Sequence, residues 1–325
     1  MSDVDVCALC GSAASSVVST KLRHGKPGTV VRCTQCGLVR LRGAQAYAAR
    51  LNDFYAEQYA QQYYSGVKGE LDSLFESFLP VQAHRVVKVA PYLRPSDRVL
   101  EIGSGPGYFL FSVRDKVAEV QGIELNRREA AYASTVRGIP TSHLPHESSD
   151  VPRAHFDHLF LFQVLEHAAN PIAFLDSLKS FLRPGGRIHI EVPNLLDPLA
   201  WFYDIEPYRD FYYQEPHLYY FTPESLSSVC AAAGFRAEKV VGFQQTSFAN
   251  HMHWLLLRQP QRSRWDCIQS ALPAGSLLPQ VAPGVEGEFK ALLDDFNQRY
   301  QDFLERSGYS DMVFATIQLT DKEAT

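Results

Sequence analysis

The sequence predicts an α/β chain: a doubly wound, largely parallel sheet, preceded by a small metal-stapled ribbon and carrying a helical, aromatic insertion late in the chain. Three observations carry this expectation. Strand-like and helix-like segments alternate between positions 98 and 192, a glycine-rich turn joins the first strand of that run to its first helix, and two Cys-x-x-Cys pairs stand near the start. With 325 residues, 46% hydrophobic and 12% aromatic, the chain has enough apolar material for a large core. The expected organisation is a ribbon over 1–45, an aromatic helical linker and pocket cover over 46–95, and the sheet domain over 96–325. Within that domain the insertion occupies about 194–221 and a C-terminal helical segment 260–308.

In the ribbon, Cys7 and Cys10 form the first pair and Cys33 and Cys36 the second, with 22 residues between them. Two thiolates three positions apart on a tight turn occupy two corners of a tetrahedron, and a second such turn completes a four-thiolate zinc site with no open position. Gly11 and Gly37, directly after each pair, allow the sharp turn. Val17-Val18 and Thr29-Val30-Val31 read as short strands separated by Gly25, Pro27 and Gly28. So short a module buries little surface alone, so one structural zinc is expected to supply much of its folding free energy. Cys230 and Cys267 stand apart and read as small apolar residues.

Next, Tyr55, Tyr59 and Tyr63 recur at four-residue intervals, which on a helix stacks them along one face. Such a stripe is either core or a wall of the pocket, and Tyr59 and Tyr63 are candidate substrate contacts. The sheet domain begins with a strand at 98–102 and a helix at 108–117, then a strand at 120–124 and a helix at 127–137. After a variable loop come a strand at 158–162, a helix at 171–182 ending at Arg-Pro-Gly-Gly, and a strand at 187–192. The insertion is dense in aromatic residues, of which Trp201 and Tyr219 are candidate substrate contacts, because the crevice of an open sheet lies beyond the carboxyl ends of its strands. Thr222-Pro-Glu-Ser225 reads as a capped helix start. Phe289, Leu292, Leu293, Phe296, Tyr300, Phe303 and Leu304 form an apolar helical face, core or subunit interface, before a strand at 312–319.

The chemical signal is Glu101-Ile-Gly103-Ser104-Gly105-Pro-Gly107. Glycines are needed where a Cβ would keep a ligand from the backbone amides. A dinucleotide fingerprint requires a glycine where Tyr108 stands, which disfavours a nicotinamide cofactor. The segment Glu-x-Gly-x-Gly-x-Gly resembles the first motif of class I S-adenosylmethionine (SAM)-dependent methyltransferases. Gly122-Ile-Glu124-Leu125-Asn126, the run from Phe156 to His167, and Leu182-Arg-Pro-Gly185-Gly186 follow in that family's order. The resemblance implies a Rossmann-like methyltransferase sheet that binds SAM and releases S-adenosylhomocysteine. It places Gly103, Ser104, Gly105 and Gly107 beneath the methionine part, Glu101 by its ammonium group and Glu124 on the ribose hydroxyls. Leu125 then packs on adenine, Gln163 lines the methionine side, and Glu147 or Ser148 reaches the adenine amino group. The ribbon and Cys36-Gly-Leu-Val further resemble a subgroup that includes deoxysugar and other small-molecule methyltransferases.

His217, after the aromatic insertion, is the first candidate for a general base, and His167 the second, since an imidazole titrates near neutrality. With 31 Lys plus Arg against 36 Asp plus Glu, the net charge of −5 argues against a nucleic-acid partner. The expected substrate is therefore a small molecule, a sugar nucleotide or natural-product intermediate. An RNA-base methyltransferase and a SAM-binding but inactive interaction protein are the alternatives. Neither a signal peptide nor a long apolar run is legible, so a cytoplasmic chain without membrane contact is expected.

Overall fold

In the computed structural model, residues 5–44, 47, 71–261, 264–268 and 285–320 are described. The ribbon consists of β1 (Ser15–Leu22), β2 (Lys26–Cys33) and β3 (Val39–Leu41), antiparallel throughout. Val30, Val31, Leu38, Val39 and Leu41 are fully buried in it, more apolar contact than a detached ribbon of this size would make. Helices α1 (Leu71–Phe78) and α2 (Ala83–Val89) then lead into the sheet domain.

That domain runs β4 (Arg98–Ile102), α3 (Tyr108–Val113), β5 (Glu119–Ile123), α4 (Arg127–Thr135), β6 (Thr141–Ser142), β7 (Phe156–Phe162), α5 (Pro171–Leu178) and β8 (Leu182–Pro193). The insertion supplies α6 (Pro198–Trp201), α7 (Glu206–Tyr212) and β9 (Tyr219–Tyr220), and α8 (Pro223–Ala232) leads to β10 (Phe235–Phe243). Helices α9 (Phe248–Leu257), α10 (Arg264–Ile268) and α11 (Glu286–Ser307) precede β11 (Met312–Leu319). The seven-stranded sheet has the order β10-β11-β8-β7-β4-β5-β6. Strands β4 to β8 pair parallel, while β11 and β10 are antiparallel to their neighbours.

The expected doubly wound α/β class is therefore what the chain adopts. In β4, Val99, Leu100 and Ile102 are buried between helices on both faces, which is why the strand reads as a nearly unbroken apolar run. The predicted helix 108–117 ends at Val113, with a 3-10 turn to Lys116, and the helix starting at Pro171 gives way to a 3-10 turn over Lys179–Phe181. Strand β8 starts at Leu182 because the Gly185-Gly186 bend lies inside the strand, and Gly186 packs against the carbonyl of Phe156. Thr222 caps α8 in a full capping box with Ser225. In α11 Leu304 is buried, whereas Leu292, Phe296 and Phe303 remain exposed.

Strand order reverses at β4, which pairs with β5 on one side and β7 on the other. A ligand crevice is expected outside the carboxyl ends of these strands. A second sheet, of order β1-β2-β3-β9, joins the ribbon to the insertion: Val39 pairs with Tyr220 and Arg40 with Tyr219. One continuous core includes Cys7, Val30 and Leu41 of the ribbon, Leu218 and Tyr220 of the insertion, and Leu159 and Ile190 of the main sheet. Among the described residues no helix is long and apolar enough to cross a membrane.

Candidate active site

The turn after β4 is held from both sides. The amides of Gly103 and Ser104 donate to the Ile123 carbonyl at 2.7 and 3.1 Å, and the Gly107 amide donates to Ser104 O at 3.0 Å. Gly103, Gly105 and Gly107 have φ of +71°, +54° and +88°. These are left-handed values that side chains rarely adopt, and at Gly103 a Cβ would also lie 2.7 Å from Val164 Cγ2. Glu124, at the end of β5, accepts the Gly105 amide on Oε2 at 2.8 Å and the Asn126 amide on Oε1 at 2.7 Å. Asn126 in turn caps α4 by accepting the amides of Arg128 and Glu129. One carboxylate thus ties two crossover turns together.

Buried acids surround this loop. Glu101 is 4% exposed, its Oε2 has no hydrogen-bond partner, and Ser104 Oγ is buried without one as well. Burial pushes the Glu101 carboxyl well above the usual carboxylate range; Arg85 opposes this, and Glu124 and Glu191 reinforce it. Glu129, whose buried Oε1 also has no partner, is pushed up to about 8 by burial and then by Glu124. A cationic ligand would favour the charged form of each acid. The donor set, the unpartnered oxygens and the glycine cradle fit a nucleoside that carries positive charge and no phosphate.

Gln163 lies just beyond β7 with φ of +60°, a strained value for a residue with a side chain. Its amide donates to Glu191 O at 2.8 Å, and its side-chain Nε2 donates to Glu191 Oε1 at 3.1 Å. Glu191 is completely buried and also accepts from Arg85 Nη2 at 2.7 Å and Gln245 Nε2 at 3.0 Å. Sequence reasoning missed this pair. A glutamate inside the buried strand stretch 188–192 was a visible signal, but the matching arginine, 106 residues earlier, left none.

In the turn after β7, His167 meets His217 edge to face with ring centroids 4.9 Å apart. One ligating atom each of Glu166, His167 and His217 lies within 4.8 Å of the others. His167 Nδ1 is 2.7 Å from the Pro216 carbonyl oxygen. That oxygen can only accept, so Nδ1 carries the ring proton and Nε2 is the accepting nitrogen. Burial lowers His167 to about 4, and burial, then His167 and Arg23, hold His217 well below the usual range. Both rings are therefore neutral at pH 7. Gln214 Nε2 lies 2.7 Å from His217 Nε2.

The remaining expected residues fall as follows. Leu125 is half-buried beside Glu124, Glu147 is exposed and lies against His146, and the Ser148 amide donates to Pro145 O. Tyr219 is buried in β9, with its hydroxyl donating to Ala169 O at 3.2 Å. Trp201 is 46% exposed, and its indole N–H donates to Leu195 O. Tyr59 and Tyr63 lie outside the described residues. In the ribbon the sulfur atoms of Cys7 and Cys36, and of Cys10 and Cys33, are 3.5 Å apart, and all four lie within 4.8 Å of one another. A tetrahedral zinc with bonds of about 2.3 Å has edges of about 3.8 Å, so the cluster fits a zinc ribbon.

Residues 75–240, just over half of the chain, match a family model described as a methyltransferase domain. The tRNA U34 carboxymethyltransferase of Azotobacter vinelandii is 35% identical over 112 residues, 32% of this chain and 35% of that protein. The ubiquinone biosynthesis O-methyltransferase of Aeromonas salmonicida is 24% identical over 164 residues, 47% of this chain and 68% of that protein. The chain spans about a third of the length of the first of these relatives. A chain from the Haloferax volcanii complex with the Trm112 methyltransferase activator aligns with a TM-score of 0.50 and 12% identity, covering 80% of this chain and 97% of that one, a likeness of fold alone.

These relatives correct one expectation. Several are named for tRNA, so the exclusion of a nucleic-acid partner does not stand. The error was to read a local property from a global sum: charges act over a Debye length of about 8–10 Å, so a net −5 over the whole chain does not fix the potential at one cleft.

Proposed function

The chain belongs to the methyltransferase-domain family and is a SAM-dependent methyltransferase, and from that premise we propose that it methylates an O, N or C atom of a small acceptor, a sugar nucleotide or natural-product intermediate. The observation that carries this reading is the meeting of His167 and His217, 50 residues apart in sequence, with His167 in the turn after β7, at the same end of the parallel strands as the glycine loop after β4. SAM supplies the electrophilic methyl group. The chain's own residues do the rest: the loop and Glu124 bind and orient the nucleoside, and Glu101 and Gln163 face its cationic end. His167 Nε2 accepts a proton where the acceptor must lose one, a step worth about 10²- to 10⁴-fold. Because His217 is buried, the acceptor atom enters on a group slim enough to reach it. One structural zinc on Cys7, Cys10, Cys33 and Cys36 completes the proposal.

A second reading is favoured by the similarity to tRNA U34 carboxymethyltransferases. An RNA base extruded from its stack also presents a slim group to a buried pair. The two readings separate in one assay, release of S-adenosylhomocysteine with either unmodified tRNA or a panel of sugar nucleotides and small aromatic metabolites. Turnover with tRNA alone overturns the small-acceptor proposal. Calorimetric titration with SAM, and metal analysis giving one zinc per chain, test the rest; wild-type protein that binds no SAM would defeat the site assignment.

A further inference from the structure

The segment that carries His217 is gripped by the ribbon over its whole length. Arg23, in the turn between β1 and β2, donates its backbone amide to Tyr213 O and its Nε to Phe211 O, the latter at 2.6 Å. Its guanidinium also lies over the Phe211 ring at 3.7 Å. Lys26 pairs with Glu215 at 2.8 Å. The Leu41 amide donates to Leu218 O at 2.8 Å, and β3 pairs with β9 directly beyond. On its other side, the Leu218 amide donates to Glu166 O at 2.8 Å, and the Pro216 carbonyl takes the ring proton of His167. Residues 211–220 are thus a strap with the ribbon on one edge and the turn after β7 on the other. Among the described residues, the hydrogen bonds that hold the glycine loop and Glu124 come from the ends of β4 and β5 and the start of α4.

We infer that the four-cysteine ribbon is a positioning element of the methyl-acceptor half of the site: by completing its sheet with β9 it holds His217 against His167, while the cofactor half shares the core with it but takes its hydrogen bonds from β4, β5 and α4. The inference rests on the reading of His167 and His217 as the acceptor side. It predicts that loss of the ribbon metal separates two properties that a merely structural module would lose together. Arg23 and Lys26 act through the strap rather than on a ligand, which makes them positioning residues. The strap's hold is also reflected in the neutral state of the buried His217 ring, which has Arg23 among the charges near it.

The test uses the full chain, zinc-loaded and saturated with S-adenosylhomocysteine, in hydrogen exchange read by mass spectrometry. It compares parent protein, protein stripped with a mercurial and chelator, and Arg23→Ala, in which one zinc per chain shows that the ribbon itself still folds. Amides of 211–221 are expected to exchange at least about tenfold faster in the stripped protein and in Arg23→Ala, with those of 98–107 unchanged. The Kd for S-adenosylhomocysteine should stay within about twofold, and the freed His217 ring should titrate near its ordinary value of about 6.5. Retained protection of 211–221 after zinc removal overturns the inference. So does a parallel collapse of cofactor binding, which would make the ribbon a support for the whole fold. None of these readouts needs an acceptor, so failure of the small-acceptor reading leaves them standing.

Discussion

Replacing Glu124 with Gln tests whether the cofactor half of the site depends on the charge that joins its two turns. The side chain keeps its shape, but one oxygen that accepts a backbone amide, from Gly105 at 2.8 Å or from Asn126 at 2.7 Å, becomes an NH₂ that meets another donor. The other oxygen keeps its bond and loses its charge. Hydrogen bonds to a charged group contribute about 1.5–3 kcal/mol, roughly twice the neutral value. Losing one outright, with the second weakened, should reduce SAM affinity by about 2–3 kcal/mol, a 30- to 150-fold rise in Kd. The loss falls on binding because the glycine loop is then no longer held in its left-handed conformation before the nucleoside arrives. Calorimetric titration with SAM and S-adenosylhomocysteine at pH 8, alongside the unfolding midpoint, reads both quantities. A Kd within about twofold of the parent in a folded Glu124→Gln protein refutes this account of the site.

Three further outcomes are expected. Gly103→Ala places a Cβ 2.7 Å from Val164 Cγ2 on a residue with φ of +71° and should destabilise the fold by about 1–3 kcal/mol in urea unfolding; adding Val164→Ala should restore the steric part only. Breaking the buried Arg85–Glu191 pair by Arg85→Met should cost about 3–5 kcal/mol, and Arg85→Met with Glu191→Gln less than the sum, as a double-mutant cycle would read. The folded pKa of His167 lies at about 4, below its unfolded value of about 6.5, so the unfolded chain binds the extra proton. Its contribution is therefore full above pH 6.5 and falls by roughly 3 kcal/mol by pH 4, and His167→Gln should flatten that part of the stability profile.

The parallel sheet was legible because its signals are local: a strand, a glycine turn and a helix follow one another within 98–113, and later repeats again set a strand shortly before a helix. β10 was not, because Phe235–Phe243 is an edge strand whose exposed Arg236 and Ala237 blur the alternation that a one-sided strand shows. The glycine turn after β4 was legible because its left-handed φ values set a strict sequence requirement. His217 and His167 could be named only as separate candidates, since no local pattern reports which distant segments meet. The clamp of Arg23 on Phe211 is the extreme case, spanning 188 residues. Arg85 was hidden for the same reason, as an arginine in a short helix is ordinarily a surface residue.

That β9 belongs to the ribbon's sheet bears on how the chain is made. During synthesis the ribbon emerges before the insertion, with β3 as an open edge whose partner strand has not yet been translated. Unpaired edges of this kind recruit other chains, and at about 5–20 residues per second the wait for β9 lasts some ten to forty seconds. Early metal capture would hold the nascent ribbon closed in that interval, and zinc-poor growth would then be expected to lower the yield of soluble enzyme rather than the activity of the molecules that fold.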